Sequence, residues 1–324
     1  MRALIVGITG QDGAYLAELL LGKDYRVFGT SRDLSSCDRQ RLRRLNVDGR
    51  VQLVSMLPTD FRRALNTVVG CEPNEIYFLA GQSSVGLSFE QPIEAIESIA
   101  TGVFNLLEAV RYVDTDIRLF NAGSSECFGE TCGTPADENT PFRPLSPYAV
   151  AKVCAQNLVT NYRSVYGLFA RTGIMFDHES PLRLERFVTQ KIVRGAAAIA
   201  AANGGELQLG NFEISRDWGW APEYVEVMWR MQQQQTPDDF VIATGRTVSL
   251  EYFVFRVIQN CDLDWRKHVS VDDALRRPSD IHIGAANPGK AASALGWKAH
   301  FDVDQVIDST CAASRDAVRD QIRE

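Results

Sequence analysis

Short apolar runs alternate with amphipathic stretches through the first half of the chain. The run at residues 2–6 (RALIV) predicts a buried strand, and the apolar positions after it change to helical spacing. Four similar runs predict further strands, at residues 25–30, 51–56, 74–80 and 117–123. A long helix with an apolar face is predicted over residues 93–112. Strands that alternate with helices in this way are typical of a parallel sheet.

Three glycines at intervals of three residues follow the first strand. Gly7, Gly10 and Gly13, with Gln11 and Asp12 between them, lie where the strand gives way to the amphipathic helix. Glycines at such a turn let the backbone approach a pyrophosphate, and the helix N-terminus offers free N–H groups. Because the strand, turn and helix come in the required order, the pattern predicts a dinucleotide-binding site.

The end of the second strand bears on which dinucleotide binds. An acidic residue there favours a free ribose 2′-hydroxyl, whereas an arginine favours a 2′-phosphate. Arg32 comes before Asp33 in this sequence. The predicted cofactor is therefore NADP, with NAD as the alternative.

The strand–helix alternation weakens after the strand predicted over 168–176. The sequence predicts a strand over 168–176, an alanine-rich helix over 184–202 and one more strand over 240–245. We predict an α/β fold with a doubly wound parallel (Rossmann) sheet and a smaller mixed α/β substrate lobe. The expected dinucleotide-binding domain spans 1–175, with returning segments near 212–250, and residues 176–324 mainly form the substrate lobe.

Composition and charge exclude several classes of protein. With 45% apolar and 23% charged residues the chain can bury a large core, and its net charge of −7 argues against a nucleic-acid surface. Seven scattered cysteines without a CxxC pair predict neither a disulfide scaffold nor a metal site. Without an apolar run of membrane-spanning length or a secretory leader, we expect a cytoplasmic protein with no membrane partner.

Four reactive side chains lie between residues 121 and 152. Tyr148 and Lys152 are four apart on a predicted helix and therefore share one face. An ammonium beside a phenol favours the phenolate, so we expect the pKa of Tyr148 to be lowered, as suits proton exchange with a substrate hydroxyl. Ser124 and Glu126 follow the fifth strand, and on an extended segment they would point to the same side.

Taken together, the motifs resemble those of a known family. The stretches GITGQDGAYLAELLL, SSECFGE, SPYAVAK, HESPLR, LGNFEISRDWG and RRPSD have the order and spacing of GDP-mannose 4,6-dehydratases, within the extended short-chain dehydrogenase/reductase family. The resemblance covers nearly the whole chain. It implies a lyase that converts GDP-mannose to GDP-4-keto-6-deoxymannose by internal hydride transfer and loss of water. It also implies a homodimer or homotetramer.

The resemblance also implies individual residue roles. The implied catalytic residues are Ser124, Glu126, Tyr148 and Lys152. The implied cofactor contacts are Gly7, Gly10, Gln11, Asp12, Gly13, Arg32, Leu79, Gln82, Tyr148, Lys152, His178 and Arg183. The implied contacts with the nucleotide-diphosphate sugar are Ser83, Ser84, Glu179, Lys191, Arg216, Arg277 and Asp280. For Arg216 and Arg277 the alternative is a structural ion pair with Asp217 or Asp280.

Four positions depart from the family pattern. Asp33 and Gln190 stand where the family has arginine, Met56 where it has aspartate, and Asp177 where it has asparagine. Three alternatives therefore stay open. The substrate is a different nucleotide-sugar, or the enzyme is a nucleotide-sugar 4-epimerase or 4-ketosugar reductase that does not need Glu126, or the chain is a non-catalytic nucleotide-binding paralogue.

Overall fold

The computed structural model describes residues 1–323, with side chains through residue 319. Its strands are β1 (Arg2–Val6), β2 (Arg26–Ser31), β3 (Gln52–Ser55), β4 (Glu75–Phe78), β5 (Arg118–Ala122), β6 (Ala170–Met175), β7 (Asp177–Glu179), β8 (Leu207–Leu209), β9 (Ser215–Trp220), β10 (Phe240–Ile242), β11 (Thr247–Ser249) and β12 (Val269–Val271). Its helices are α1 (Gln11–Gly22), α2 (Gln40–Arg44), α3 (Phe61–Cys71), α4 (Val85–Glu90), α5 (Pro92–Ile96), α6 (Gly102–Val113), α7 (Pro147–Tyr166), α8 (Val188–Ala202), α9 (Ala221–Gln232), α10 (Leu250–Asn260), α11 (Trp265–His268), α12 (Gly289–Leu295) and α13 (Val303–Arg323). None of these helices has an apolar stretch of the length that a bilayer crossing requires.

Seven parallel strands form the central sheet, in the order β10-β6-β5-β4-β1-β2-β3. In the middle of the sheet Val6 pairs with Thr30 on one side and with Phe78 on the other. The strand order reverses between β1 and β4, and ligands bind in such sheets beyond the carboxyl ends of the strands at this point. The predicted doubly wound sheet is confirmed.

The smaller lobe contains two further sheets. β7, β9 and β11 form a mixed three-stranded sheet, and β8 pairs with β12. This lobe has its own apolar core, which includes Ile192, Trp218, Phe253 and Ile307. The chain nevertheless returns to the central sheet and its helices, where α9 packs against α1 and β10 joins β6. The domain boundary near residue 175 stays a prediction.

Two predicted boundaries differ from the observed ones by three or more residues. The helix predicted over 184–202 begins at Val188, because two successive turns occupy residues 181–187. The strand predicted over 240–245 ends at Ile242. It ends there because the next amides turn away from the sheet and donate to the Asp217 carboxylate, Thr244 N at 2.9 Å and Gly245 N at 2.7 Å.

The long helix predicted over 93–112 is present, but a π-helical turn at Glu97–Thr101 separates α5 from α6. Within this turn the Ser98 hydroxyl donates to the Glu94 carbonyl at 2.6 Å. The same hydroxyl accepts the backbone N–H of Gln82 at 3.0 Å. The π-helical turn therefore fixes the loop that follows β4.

Candidate active site

A cleft opens beyond the carboxyl ends of β1, β4 and β5. Most of the side chains predicted to act on substrate or cofactor line this cleft: Asp12, Leu79, Ser83, Ser84, Ser124, Glu126, Tyr148, Lys152, His178, Glu179, Arg183, Arg216 and Arg277. These residues come from both halves of the chain. The fold therefore brings the four predicted catalytic groups together with predicted ligands from the smaller lobe.

Ser124 follows β5, where it begins a 3-10 turn over Ser125–Phe128. Its Oγ accepts the backbone N–H of Glu126 at 3.3 Å. The extended conformation predicted for this segment is wrong, because the serine side chain caps the turn. Both side chains still line the cleft.

Tyr148 lies in the first turn of α7, the helix that packs against the 3-10 turn after β5. Ser146 caps this helix by accepting the backbone N–H of Ala149 at 3.1 Å. The Lys152 Nζ donates to the Ala122 carbonyl at 2.7 Å and lies 5.7 Å from the centroid of the Tyr148 ring. The bond to Ala122 holds the ammonium beside the phenol.

Burial dominates the ionisation of this pair. It raises the pKa of the Tyr148 phenol, although a hydrogen bond with the Ser124 hydroxyl acts in the opposite direction. It also lowers the pKa of the Lys152 ammonium to about 8, so the group still carries its proton at neutral pH. The predicted lowering of the tyrosine pKa is wrong for this environment, because desolvation outweighs the hydrogen bond with Ser124 and the charge of Arg183.

Glu126 is a half-buried carboxylate with an unusual proton affinity. Burial raises its pKa to about 7; Arg216 acts against this rise and Asp177 adds to it. Among the described residues no donor lies within hydrogen-bond distance of the carboxylate. A carboxylate with this pKa, in a cleft and without a partner, is suited to general base catalysis near neutral pH.

His178 and Asp12 form an ion pair beneath the cleft. The His178 Nδ1–H donates to the Phe176 carbonyl at 2.7 Å, and Nε2 lies 3.0 Å from the Asp12 Oδ2. Burial opposes the charged imidazole, but Asp12 outweighs it and raises the pKa of His178. In return, and again against burial, His178 lowers the pKa of Asp12 to about 2. The His178 ring also stacks on Tyr224.

Gln11 adds a second connection between α1 and the same segment. Its Nε2 donates to the His178 carbonyl at 3.2 Å, and its Oε1 accepts the Ser180 hydroxyl at 2.8 Å. The side chains of Gln11 and Asp12 are thus bonded within the protein. Their predicted contacts with a cofactor stay predictions.

The loop after β1 fits a dinucleotide pyrophosphate. Gly7 has φ +94°, and a Cβ at this position would lie 2.9 Å from the Ala80 N. A Cβ at Gly13 would lie 2.4 Å from the Gly7 O. Only glycine allows this close backbone arrangement, which leaves the start of α1 open to an anion.

In the loop after β4, the buried Nε2 of Gln82 has no partner in the described part of the protein and could donate to a bound group.

Arg216 and Arg277 share a carboxylate at the Glu126 end of the cleft. The Arg216 Nη2 lies 3.3 Å from the Asp280 Oδ1, and the Arg277 Nη1 lies 3.8 Å from the same oxygen. The expected alternative of an ion pair with Asp280 is therefore present, and the substrate contacts of these three residues stay predictions. Within residues 1–319 no group of acidic, histidine and cysteine side chains has the geometry of a metal site.

Two of the predicted basic ligands lie away from the cleft lining. Lys191 is on the exposed side of α8. Arg32 is exposed at the end of β2, with its Nη1 3.6 Å from the Glu94 Oε1. The cleft lining also includes Asp177 and Arg186, which sequence reasoning did not select as site residues. A hint in the sequence exists only for Asp177, which precedes the HESPLR motif and stands where the family has asparagine.

The comparison with protein families gives one match that spans most of the chain. The family model described as GDP-mannose 4,6 dehydratase matches residues 4–310. A protein named GDP-mannose 4,6 dehydratase 2 from Arabidopsis thaliana is 42% identical over 315 residues, which cover 94% of this chain and 84% of the relative. A GDP-mannose 4,6-dehydratase from Sinorhizobium fredii is 42% identical over 320 residues, which cover 91% of each chain.

Solved structures share the fold at low sequence identity. A dTDP-glucose 4,6-dehydratase from Streptomyces venezuelae with NAD bound has a TM-score of 0.86 at 19% identity, covering 98% of this chain and 97% of the other. A UDP-glucose 4-epimerase from Thermus thermophilus in complex with NAD has a TM-score of 0.85 at 22% identity, covering 98% of this chain and 100% of the other. Because both dehydratases and epimerases are similar in structure, these likenesses support the fold alone.

The Asp12–His178 ion pair predicts a defined pH dependence of stability. Asp12 has a lowered pKa in the folded protein, so its contribution is complete above 3.8 and is lost as the pH falls through about 2. His178 has a raised pKa, so its contribution is complete below 6.5 and is lost as the pH rises through the folded value. The substitution Asp12→Asn is therefore expected to lower the free energy of unfolding most between these two ordinary values.

Denaturant unfolding of both proteins over a pH series measures this difference, and NMR titration should show a lower His178 pKa in the variant. Asp116→Asn makes the same chemical change at an exposed position and should show no such window. A stability difference that is constant with pH would contradict the role assigned to the ion pair.

Proposed function

The chain belongs to the GDP-mannose 4,6-dehydratase family, and from this premise we propose that it converts GDP-mannose to GDP-4-keto-6-deoxymannose. The observation that supports this function best is Glu126, an unpartnered carboxylate of raised pKa in the same cleft as Ser124, Tyr148 and Lys152. Removal of water requires such a base in addition to the groups that serve oxidation of a hydroxyl.

The first chemical task is to remove the proton of the hydroxyl on carbon 4 of the hexose. A nicotinamide cofactor, when bound, supplies the hydride chemistry of the reaction. Tyr148 accepts the hydroxyl proton in its phenolate form, which burial disfavours and the hydrogen bond with Ser124 favours. Ser124 also forms a hydrogen bond with the same substrate oxygen. Lys152, held by the Ala122 carbonyl, stabilises the phenolate electrostatically.

The second task is elimination. A ketone at carbon 4 makes the hydrogen on carbon 5 acidic, and Glu126 removes it as a proton. The protonated Glu126 then gives this proton to the oxygen on carbon 6, which leaves as water, and the proton that is later added at carbon 5 comes from solvent. Because the pKa of Glu126 is about 7, both the ionised base and the protonated acid are accessible at neutral pH.

The remaining predicted residues would position the two ligands. The backbone of Gly7, Gly10 and Gly13 would hold the cofactor pyrophosphate at the start of α1. Arg216 and Arg277 would contact the nucleotide-sugar, with Asp280 orienting both guanidiniums.

We also propose NADP as the cofactor, because Arg32 lies exposed at the end of β2, where a 2′-phosphate would bind.

A homodimer is proposed from a second feature. The helices α5, α6 and α7, which flank the central sheet, expose several apolar side chains: Ile93, Phe104, Tyr112, Val150, Val165 and Tyr166. Exposed apolar side chains in such number mark an interaction surface.

Glu126→Gln is expected to abolish the formation of 4-keto-6-deoxy sugar. The amide cannot accept the proton from carbon 5, and general base catalysis is worth about 10²–10⁴ in rate. The measurement is mass spectrometry of the products from GDP-mannose and a panel of other nucleotide-sugars, with solvent deuterium to follow exchange at carbon 5.

Glu206→Gln is the matched control, because Glu206 is exposed in the loop before β8. It should form product at the parent rate. An unchanged rate in the Glu126→Gln protein would overturn the elimination mechanism and would favour an epimerase or reductase instead.

Arg32→Ala is expected to reduce the preference for NADP over NAD by about tenfold, because one charged contact to a 2′-phosphate is lost. Calorimetric titration of both dinucleotides into the parent and the variant measures this. The exposed Arg62 provides a control of the same type, and Arg62→Ala should keep the preference. If the parent binds NAD as tightly as NADP, the cofactor proposal is wrong.

Val150→Asp is expected to dissociate the dimer, because it places a charge in the apolar surface of α7. Sedimentation velocity should show a homodimer for the parent and a monomer for the variant. Phe255→Asp changes a similarly exposed apolar residue on α10 and should leave the assembly intact. A variant that sediments like the parent would place the interface elsewhere.

A further inference from the structure

Arg186 lies at the mouth of the cleft, in the turns between β7 and α8. Its side chain is exposed, and its Nη2 lies 3.5 Å from the Oγ of Ser83 in the loop after β4. The two residues are 103 positions apart in the sequence. A guanidinium and a hydroxyl from separate segments thus meet at the opening of the cleft.

The charge of Arg186 is not balanced within the protein. Partial burial and the neighbouring Arg183 both lower its pKa, and no carboxylate of residues 1–319 forms an ion pair with it. The two nearest acidic residues in the sequence pair with other arginines. Glu185 pairs with Arg194, and Glu179 with Arg183, at 3.6 Å in the second case.

A third arginine approaches the same place from α2. The Arg41 Nε donates to the Leu182 carbonyl at 2.8 Å, and its Nη1 donates to the Thr9 carbonyl in the glycine turn at 3.2 Å. Burial lowers the pKa of Arg41, and Arg186 is among the arginines that lower it further. The Asp38 carboxylate lies 3.6 Å from the Arg41 Nη1 and balances this charge, so Arg186 is the arginine at this place that lacks a carboxylate partner among residues 1–319.

Like charges this close repel one another, and a bound anion removes the repulsion. The planar fork of arginine matches phosphate oxygens, and a serine hydroxyl can donate to a third. We infer that Arg186, together with Ser83 and Arg183, binds a diphosphate group at the mouth of the cleft. The chemical class of the ligand rests on the proposed function, because a nucleotide-sugar and a dinucleotide both carry a diphosphate.

Arg186 supplies to the cleft a positive charge that the nearby positions 190 and 191 do not supply. Gln190 is buried, and its Nε2 donates to the Ser180 carbonyl at 2.9 Å, so it is occupied within the protein. Lys191 is exposed and does not line the cleft. Of the basic residues from 184 to 191, Arg186 is the one that lines the cleft.

The test is the substitution Arg186→Gln, with Arg194→Gln as the matched control. Arg194 loses the same charge on α8 but is not part of the cleft lining. Calorimetry would measure binding of GDP, UDP and dTDP in one arm and of NADP in the other. Arg186→Gln should weaken binding about tenfold in at least one arm, whereas the control should change it by less than about twofold. The arm that weakens identifies which diphosphate Arg186 contacts.

Three results would overturn the inference: unchanged affinity in both arms, equal weakening in the control, or a parent protein that binds none of these ligands. Arg186→Lys keeps the charge but loses the planar fork, so its affinity should lie between those of the parent and Arg186→Gln, which separates a contact from a folding defect. Binding is measured without turnover. A parent that forms no 4-keto product, but loses affinity on Arg186→Gln, would refute the proposed function and support this inference.

Discussion

The geometry of the cleft depends on the ion pair between Asp12 and His178. It joins the first helix to a strand 166 residues later, and Gln11 strengthens the connection through Ser180. Because His178 is buried and its ring is also bonded to backbone, the pair ties the glycine turn to the start of the smaller lobe. The turns at residues 181–187, which carry the arginines of the cleft mouth, begin directly after this connection.

Charge is distributed unevenly along the cleft. At the Glu126 end, Arg216 and Arg277 are balanced by Asp177 and Asp280, and the pKa of the catalytic candidate rises to about 7. At the mouth, positive charge exceeds negative charge. Under the proposed function, this difference would orient a ligand with an anionic diphosphate and a neutral sugar, with its sugar toward the carboxylate. Desolvation and the nearby charges thus act together to set the pKa of the Glu126 carboxylate.

Features set by local patterns could be predicted from the sequence. The glycine turn after β1 and the pairing of Tyr148 with Lys152 on one helical face follow from short spacings, and the central sheet follows from apolar periodicity. The 3-10 turn after Ser124 could not be predicted, because a single side-chain bond to the Glu126 amide decides it. Arg186 was missed because its importance depends on Ser83, which only the fold brings near.

The π-helical turn before α6 and the loop after β4 depend on each other structurally. Gly81 is so close to this turn that a Cβ would lie 2.7 Å from the Ile99 Cγ1, and the next amide is bonded to Ser98. A π-helical turn holds one residue more than the α-helical turn it replaces, so every side chain after it is rotated relative to those before. Chimeras built from related enzymes should therefore exchange residues 81–102 as one block, since a junction inside it would combine a loop with a helix of the wrong phase.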